Sequence, residues 1–185
     1  MIKTIVLSYS YGAVLGQLAI IIVVLLYLAK VLFKSNRFDQ LRKTIQPYSY
    51  HLAFLLSLIA TLASLFLSEA VKFQPCILCW YQRVMMYPQP ILLYISLVRN
   101  ERFLKPYLIT MSVIGAVVSA YHYGLQRFPQ SLYAPCNTDL SGVSCIKGYL
   151  FYFGYMSFPL MALTVFVLLI ILMLFSNAQN LKHSK

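Results

Sequence analysis

Apolar residues run along this chain in five long blocks separated by short polar stretches. The first extends from about Tyr11 to Phe33 and contains GAVLGQLAIIIVVLLYLAKVLF. At about 1.5 Å per residue it is long enough to cross a hydrocarbon core of about 30 Å. A second goes from Tyr50 to Ser68 and ends at Glu69. A third starts at or just after a Cys-x-x-Cys stretch and continues through Tyr81 to Val98, interrupted by Pro88 and Pro90. A fourth spans Pro106 to Gly124, and a fifth goes from about Phe151 to Phe175 with Pro159 inside it. Proline is tolerated in a membrane helix where neighbouring helices or side chains satisfy the freed backbone groups, so these prolines predict kinks within a bundle. The pattern as a whole predicts an all-α membrane protein of five crossings. The first block is longer than the apolar core of a signal peptide, only Lys3 precedes it as a charged side chain, and no small-residue cleavage site follows. It is expected to be a retained helix.

Composition agrees. Of the 185 residues, 61% are hydrophobic and only 10% charged, against roughly 45–50% apolar in ordinary soluble domains. The mean hydropathy is +0.75. That leaves no room for a sizeable water-soluble domain. Fifteen Lys and Arg against four acidic residues give +11, a balance that in a soluble protein suggests nucleic acid. Here the basic residues gather between apolar blocks, the pattern of topology signals and anionic lipid contact. Fifteen Tyr and twelve Phe, many near block ends, fit aromatic belts at two membrane surfaces.

Charge also predicts orientation. Lys34, Arg37, Arg42 and Lys43 lie between the first and second blocks, Arg99, Arg102 and Lys105 between the third and fourth, and Lys182 and Lys185 in the tail. In a five-crossing chain all nine share one side, and the positive-inside rule places them in the cytoplasm. The opposite side holds Lys3, Lys72, Arg127 and Lys147 together with Cys76, Cys79, Cys136 and Cys145. All four thiols are thereby expected on the oxidising face. The chain divides into a membrane anchor with a basic cytoplasmic loop (1–46), a four-helix unit (47–176) and a cytoplasmic tail (177–185). No internal repeat or low-complexity segment stands out.

The chemistry concentrates in QPCILCWYQR, Gln74 to Arg83. Cys-x-x-Cys spacing serves either a redox pair that closes a short disulfide or half of a metal site, and four cysteines also permit plain structural bridges. A zinc site is weaker on an oxidising face, because metal-binding thiolates there compete with disulfide formation. If Cys79 opens a helix, Arg83 lies at i+4 on the same face, one turn deeper. A helix amino terminus and a nearby cation both favour a thiolate, which predicts that Cys79 is the poised member of the pair. The alternative for Arg83 is snorkelling to lipid headgroups. A stabilised thiolate beside a cation within the membrane boundary suits a lipid-soluble electron acceptor that becomes negatively charged on reduction, such as a quinone.

Pro75-Cys-Ile-Leu-Cys-Trp-Tyr-Gln-Arg83, followed by Met-Tyr-Pro, resembles the disulfide bond formation protein B family (DsbB), particularly its shorter BdbC-like branch. Tyr121-His-Tyr, Pro135-Cys136, Val143-Ser-Cys145 and the four crossings around the motif match as well. The resemblance covers about residues 47–176. It implies a thiol:quinone oxidoreductase bundle of DsbB type in the bacterial cytoplasmic (inner) membrane, with its cysteine loops on the periplasmic face. Such an enzyme reoxidises a DsbA-like thioredoxin-fold thiol oxidase and passes the electrons to ubiquinone or menaquinone, supporting disulfide formation in exported proteins. Carried over, Cys76 and Cys79 form the quinone-proximal pair, Cys79 contacts the quinone, and Arg83 stabilises the reduced or charge-transfer species. Cys136 and Cys145 form the loop pair, with Cys136 meeting the partner. His122 and Gln82 are candidates for the quinone site, each with a structural reading of equal weight: a satisfied interfacial histidine and a helix-packing amide. Trp80 and Tyr81 are expected as interfacial anchors, His51 as a residue without chemistry, and no metal is expected.

The first helix is extra relative to four-crossing members. The eight residues between Cys136 and Cys145 make a short loop, which is expected to move to bring the two pairs together. Two alternatives compete. A vitamin K epoxide reductase-like protein also joins two cysteine pairs to quinone, but there the membrane-proximal Cys-x-x-Cys follows the loop pair instead of preceding it. A membrane assembly or transport subunit with two structural disulfides would give Arg83 no purpose beside the motif.

Overall fold

The computed structural model describes residues 2–34, 36–70, 72, 74–99, 103–128, 145 and 155–176, with the side chains of residues 2–9 outside that set. Helix α1 (Ile2–Phe33) ends where Lys34 takes a left-handed conformation, φ 51°. Helix α2 (Arg37–Ile45) follows, and a single 3₁₀ turn at Gln46–Tyr48 leads into α3 (Ser49–Glu69). The segment expected to be a basic loop is therefore helical. Its apolar residues Phe38, Leu41 and Ile45 fall at i, i+3 and i+7, the spacing of one helix face. Lys30 of α1 pairs with Asp39 at 2.6 Å and sits 5.5 Å from the Phe38 ring centre, and Phe38 packs edge-on against Tyr27 and Phe175.

The third block is divided, with α4 (Ile77–Met86) and α5 (Pro88–Val98) meeting at Tyr87. Pro88 has no N–H to continue the ladder, so it begins a helix, as the first-turn preference of proline dictates. Helix α6 (Lys105–Arg127) carries Pro106 in its first turn, and α7 is Phe158–Phe175. The kink expected at Pro159 is absent. The helix starts at Phe158, behind an extended Ser157, so Pro159 occupies the first turn, where its missing N–H costs nothing.

Among the described residues, four helical stretches are long and apolar enough to cross a membrane: Ser10–Phe33, Arg37–Glu69, Lys105–Arg127 and Phe158–Phe175. Helices α4 and α5 together supply the remaining passage in two shorter pieces. Large apolar side chains such as Leu18, Ile21, Leu55, Leu62, Val113 and Val117 face outward, an arrangement that only a lipid surround makes favourable.

Helix α7 is central, packing against α6, α3 and α1, while α4 lies against α6 and α3, and α5 against α3. The core joins Tyr50 and Ala53 of α3, Met86, Leu93, Leu108, and Phe166, Leu169 and Met173 of α7. At Gly115 the Phe166 ring lies so close that an added Cβ would stand 2.3 Å from it. Helix α1 docks on α7 in the same manner through Gly16, where an added Cβ would meet Leu168 and Thr164 at 3.0 Å. Gln17 donates to Thr164 Oγ1 at 3.3 Å and accepts from Tyr155 Oη at 3.3 Å. Lys105 Nζ donates to the Ser176 carbonyl at 2.6 Å. That bond and the Phe38–Phe175 contact gather the basic segments at one end of the bundle, and Cys76, Cys79 and Cys145 lie at the other.

Candidate active site

The chain before α4 is extended, and Cys76 is the N-cap residue, φ −72° and ψ 172°. The helix therefore begins one residue after the first cysteine, and Cys79 sits in its first turn. Cys76 and Cys79 are free thiols whose Sγ atoms lie 3.2 Å apart in a thiol–thiol hydrogen bond. Cys145 is disulfide-bonded and buried, and it packs with Cys76, Leu78 and Leu125 in a small apolar cluster that Cys79 and Tyr121 border. The ligating atoms of Cys76, His122 and Cys145 all lie within 4.8 Å of one another. Cys136 lies outside the described residues, so the expected partner-facing thiol is not placed.

The two flanks of α4 carry different groups. Toward α6, the ring of His122 is 1% exposed, with Nε2 3.6 Å from Cys76 Sγ and Nδ1 3.1 Å from Gln82 Nε2. With the Gln82 amide donating to Nδ1, the ring proton resides on Nε2 and points at the Cys76 sulfur. Gln126 Nε2 lies 3.4 Å from the same ring nitrogen, while its Oε1 has no partner. Turning that amide over gives Nε2–H a second acceptor. Toward α3, Arg83 donates to the Ser68 hydroxyl and, at 3.5 Å, to the Ser64 carbonyl, and its guanidinium lies 5.5 Å from the Trp80 ring centre. Ser64 Oγ shares a 3.2 Å hydrogen bond with Tyr87 Oη.

The structure thus brings Cys76, Cys79, Gln82, Arg83, His122 and Cys145 to one end of the bundle and divides them into two sets. Gln82 and His122 serve Cys76, whereas Arg83 follows Cys79 by one turn on the α3 side. Cys79 was expected as the poised thiolate, and the groups around the Cys76 sulfur favour a thiolate there as well. The Cys76 thiol, in the extended stretch before α4, is pushed well below the usual cysteine range to about 4. The hydrogen bond from Cys79 contributes most and His122 adds to it, while burial acts in the opposite direction. Hydrogen bonds to the charged form outweigh the desolvation that opposes it. The sequence reading also missed Ser64, Ser68 and Gln126. The i, i+4 serines near the end of α3 were their only signal, and nothing in the sequence aimed them at Arg83. Trp80 and Tyr81 are exposed, as interfacial anchors are.

A pH dependence follows. In the reduced protein, alkylation of Cys76 should persist into acid and fall only as the pH drops through its lowered pKa. His122→Ala removes one of the groups that favour the thiolate, so the midpoint of the profile should move upward. Rates of iodoacetamide labelling against pH, read by peptide mass, test this, and superimposable profiles for the two proteins would refute a role for the imidazole.

Comparison with known proteins identifies the family. The family profile described as "Disulfide bond formation protein DsbB" matches residues 46–176, which leaves α1 and α2 outside. The chain is 43% identical over 122 residues to "Disulfide bond formation protein C" of Bacillus subtilis (strain 168), covering 65% of this chain and 86% of that protein. It is 39% identical over 136 residues to the "SPbeta prophage-derived disulfide bond formation protein B" of the same organism, covering 72% and 90%. To "Probable disulfide formation protein C 2" of Bacillus cereus (strain ATCC 10987 / NRS 248) it is 36% identical over 139 residues, covering 75% and 98%. No solved structure gave a significant match. A helical membrane bundle with two thiols beside a bonded cysteine, and a profile match over most of its length, make this chain a member of the DsbB family of disulfide bond formation proteins.

Proposed function

We propose that this membrane thiol–disulfide oxidoreductase oxidises a DsbA-like thioredoxin-fold protein and delivers the electrons to a quinone, ubiquinone or menaquinone. In this reading the cysteine end of the bundle faces the outside of the bacterial cytoplasmic membrane, and the enzyme supports disulfide formation in exported proteins. Residues 47–176 form the oxidoreductase unit, 1–46 an anchor with a cytoplasmic segment, and 177–185 a cytoplasmic tail. The observation that carries the reading is the bonded Cys145 sulfur beside Cys76, within 4.8 Å, with Cys79 3.2 Å further along.

Each sulfur step is an exchange in which one S–S bond forms as another breaks. A thiolate of the partner attacks Cys136 of a Cys136–Cys145 disulfide, and Cys145 leaves as thiolate. The partner's second thiol then closes the partner disulfide, leaving the loop pair reduced by two electrons. Cys145 next attacks Cys76 of an oxidised Cys76–Cys79 pair, Cys79 leaves as thiolate, and Cys136 restores the loop disulfide. The proximity of Cys76 and Cys145 supports this second exchange. The observed combination of a bonded Cys145 with free Cys76 and Cys79 corresponds to the state in which the electrons have reached α4.

A quinone, when bound, accepts two electrons and two protons. The donor set fits such a group: Cys79 is only partly buried, Arg83 is anchored one turn along the same helix, and the Ser64–Tyr87 hydroxyl pair lies on that flank. Cys79 would face it, Arg83 would hold negative charge developing there, and Cys76 would reclose the disulfide from the thiolate that His122 Nε2–H faces.

The test is quinone absorbance over time with purified protein and a reduced thioredoxin-fold oxidase. Steady consumption is expected with at least one quinone type. No turnover with either type, or labelling that places Cys76 and Cys136 on the cytoplasmic side, would overturn the proposal and favour structural disulfides in a membrane assembly.

A further inference from the structure

The same end of the bundle has the chemistry of a soft-cation site that the sulfur relay does not use. Three donors converge there from separate parts of the chain: Cys76 Sγ before α4, His122 Nε2 on α6 and Cys145 Sγ, all buried and all within 4.8 Å of one another. Tetrahedral zinc, with bonds of about 2.0–2.3 Å, places its donors roughly 3.5–3.8 Å apart. The Cys76–His122 separation of 3.6 Å already meets that spacing. Cys79 Sγ lies 3.2 Å from Cys76 Sγ but is not one of the three converging donors. A second, independent feature is the environment of the ring. Histidine ligands carry a partner on the nitrogen away from the metal, which fixes ring orientation. Here Nε2 faces the sulfurs while Nδ1 lies 3.1 Å from the buried Gln82 carboxamide, whose oxygen accepts Nδ1–H once the amide is turned over.

Cys145 is withheld from any cation while it is in a disulfide. We infer that two-electron reduction of that disulfide completes a site for a thiophilic divalent cation, zinc by its donor set, formed by Cys76, His122 and Cys145. A dithiol supplies the electrons: it becomes a disulfide, and Cys145 and its bonded partner become thiols. The cation then displaces a proton from each ligating thiol. With Cys76 and Cys145 both coordinated, neither sulfur is available for exchange, and the fully reduced chain is held out of turnover. The site is therefore a redox-gated inhibitory site and not that of a resident cofactor.

The experiment uses the full chain in detergent, reduced with a phosphine that does not coordinate zinc, desalted and given Zn²⁺ alone. Reduced wild type should retain one zinc per chain, with protection of the ligating thiols from alkylation, and Co²⁺ in its place should show thiolate-to-metal charge-transfer absorption. Protein with the Cys145 disulfide intact, and reduced Cys145→Ser, should each retain far less. Gln82→Leu, which leaves every ligand in place, should bind about 10- to 100-fold more weakly, the usual cost of removing a group that orients a ligating histidine. Two results would overturn the inference: no retention by reduced wild type, or equal retention with and without the Cys145 disulfide, which would assign the metal to the Cys76–Cys79 thiols alone. No quinone or partner protein enters the readout, so this inference and the proposed electron path stand or fall separately.

Discussion

Cys79→Ser should abolish steady quinone reduction, lowering turnover by a factor of at least about 10³, the scale seen when a covalent group is removed from an active site. The serine keeps the size and the helix position but cannot form the Cys76–Cys79 bond, so the relay loses the disulfide that receives electrons from the loop. The variant should still oxidise its partner once, because the Cys145 disulfide is separate from Cys79. Rapid-mixing assays of partner thiols should therefore show about two thiols, one partner dithiol, lost per chain and then nothing. Continued turnover in this variant would remove Cys79 from the path altogether.

Arg83→Met should leave that single oxidation intact and depress quinone reduction by about 10²–10³, the range for deleting one preorganised charge stabiliser. The argument lies in how the guanidinium is held. Ser68 and the Ser64 carbonyl fix it against the end of α3 and Trp80 covers it on one side, so its charge is in place before any acceptor arrives. Arg83→Lys keeps the charge but loses the planar fork, and should fall between wild type and Arg83→Met. Steady-state kinetics with quinone and partner varied in turn give the test. A loss confined to the partner's KM would mean that Arg83 supports docking instead.

Much of this was legible in the sequence because the lipid surround leaves few options. Apolar blocks of helix-spanning length gave α1, α3, α6 and α7 to within a few residues at most ends, and the nine-residue cysteine window located the chemistry. What was not legible depends on direction around a helix axis. Arg83 at i+4 from Cys79 was evident from spacing, but Gln82 turning toward His122, and Ser64 and Ser68 reaching Arg83, depend on how α3, α4 and α6 rotate against one another. The surroundings of Cys76 were hidden for a related reason. Helix-end electrostatics favoured Cys79, but the helix began at Ile77, which left Cys76 outside it with its sulfur open to both Cys79 and the imidazole. Pro159 was misplaced because the apolar block continues into residues preceding the helix, and hydropathy does not distinguish the two.

The seam at Tyr87 gives α4 a property of its own. It is a rod of ten residues, about 15 Å long, and it carries Cys79 and Arg83 on one side. The ladder weakens where Pro88 and Pro90 lack N–H groups, although Gln89 Nε2 returns one bond to the Met85 carbonyl at 3.0 Å. Bilayers differ in thickness, and helices answer by tilting. Whatever the tilt, the thiol of Cys79 and the cation of Arg83 keep the fixed interval of a single helical turn. The spacing that governs the redox chemistry is therefore insulated from the thickness of the membrane that holds it.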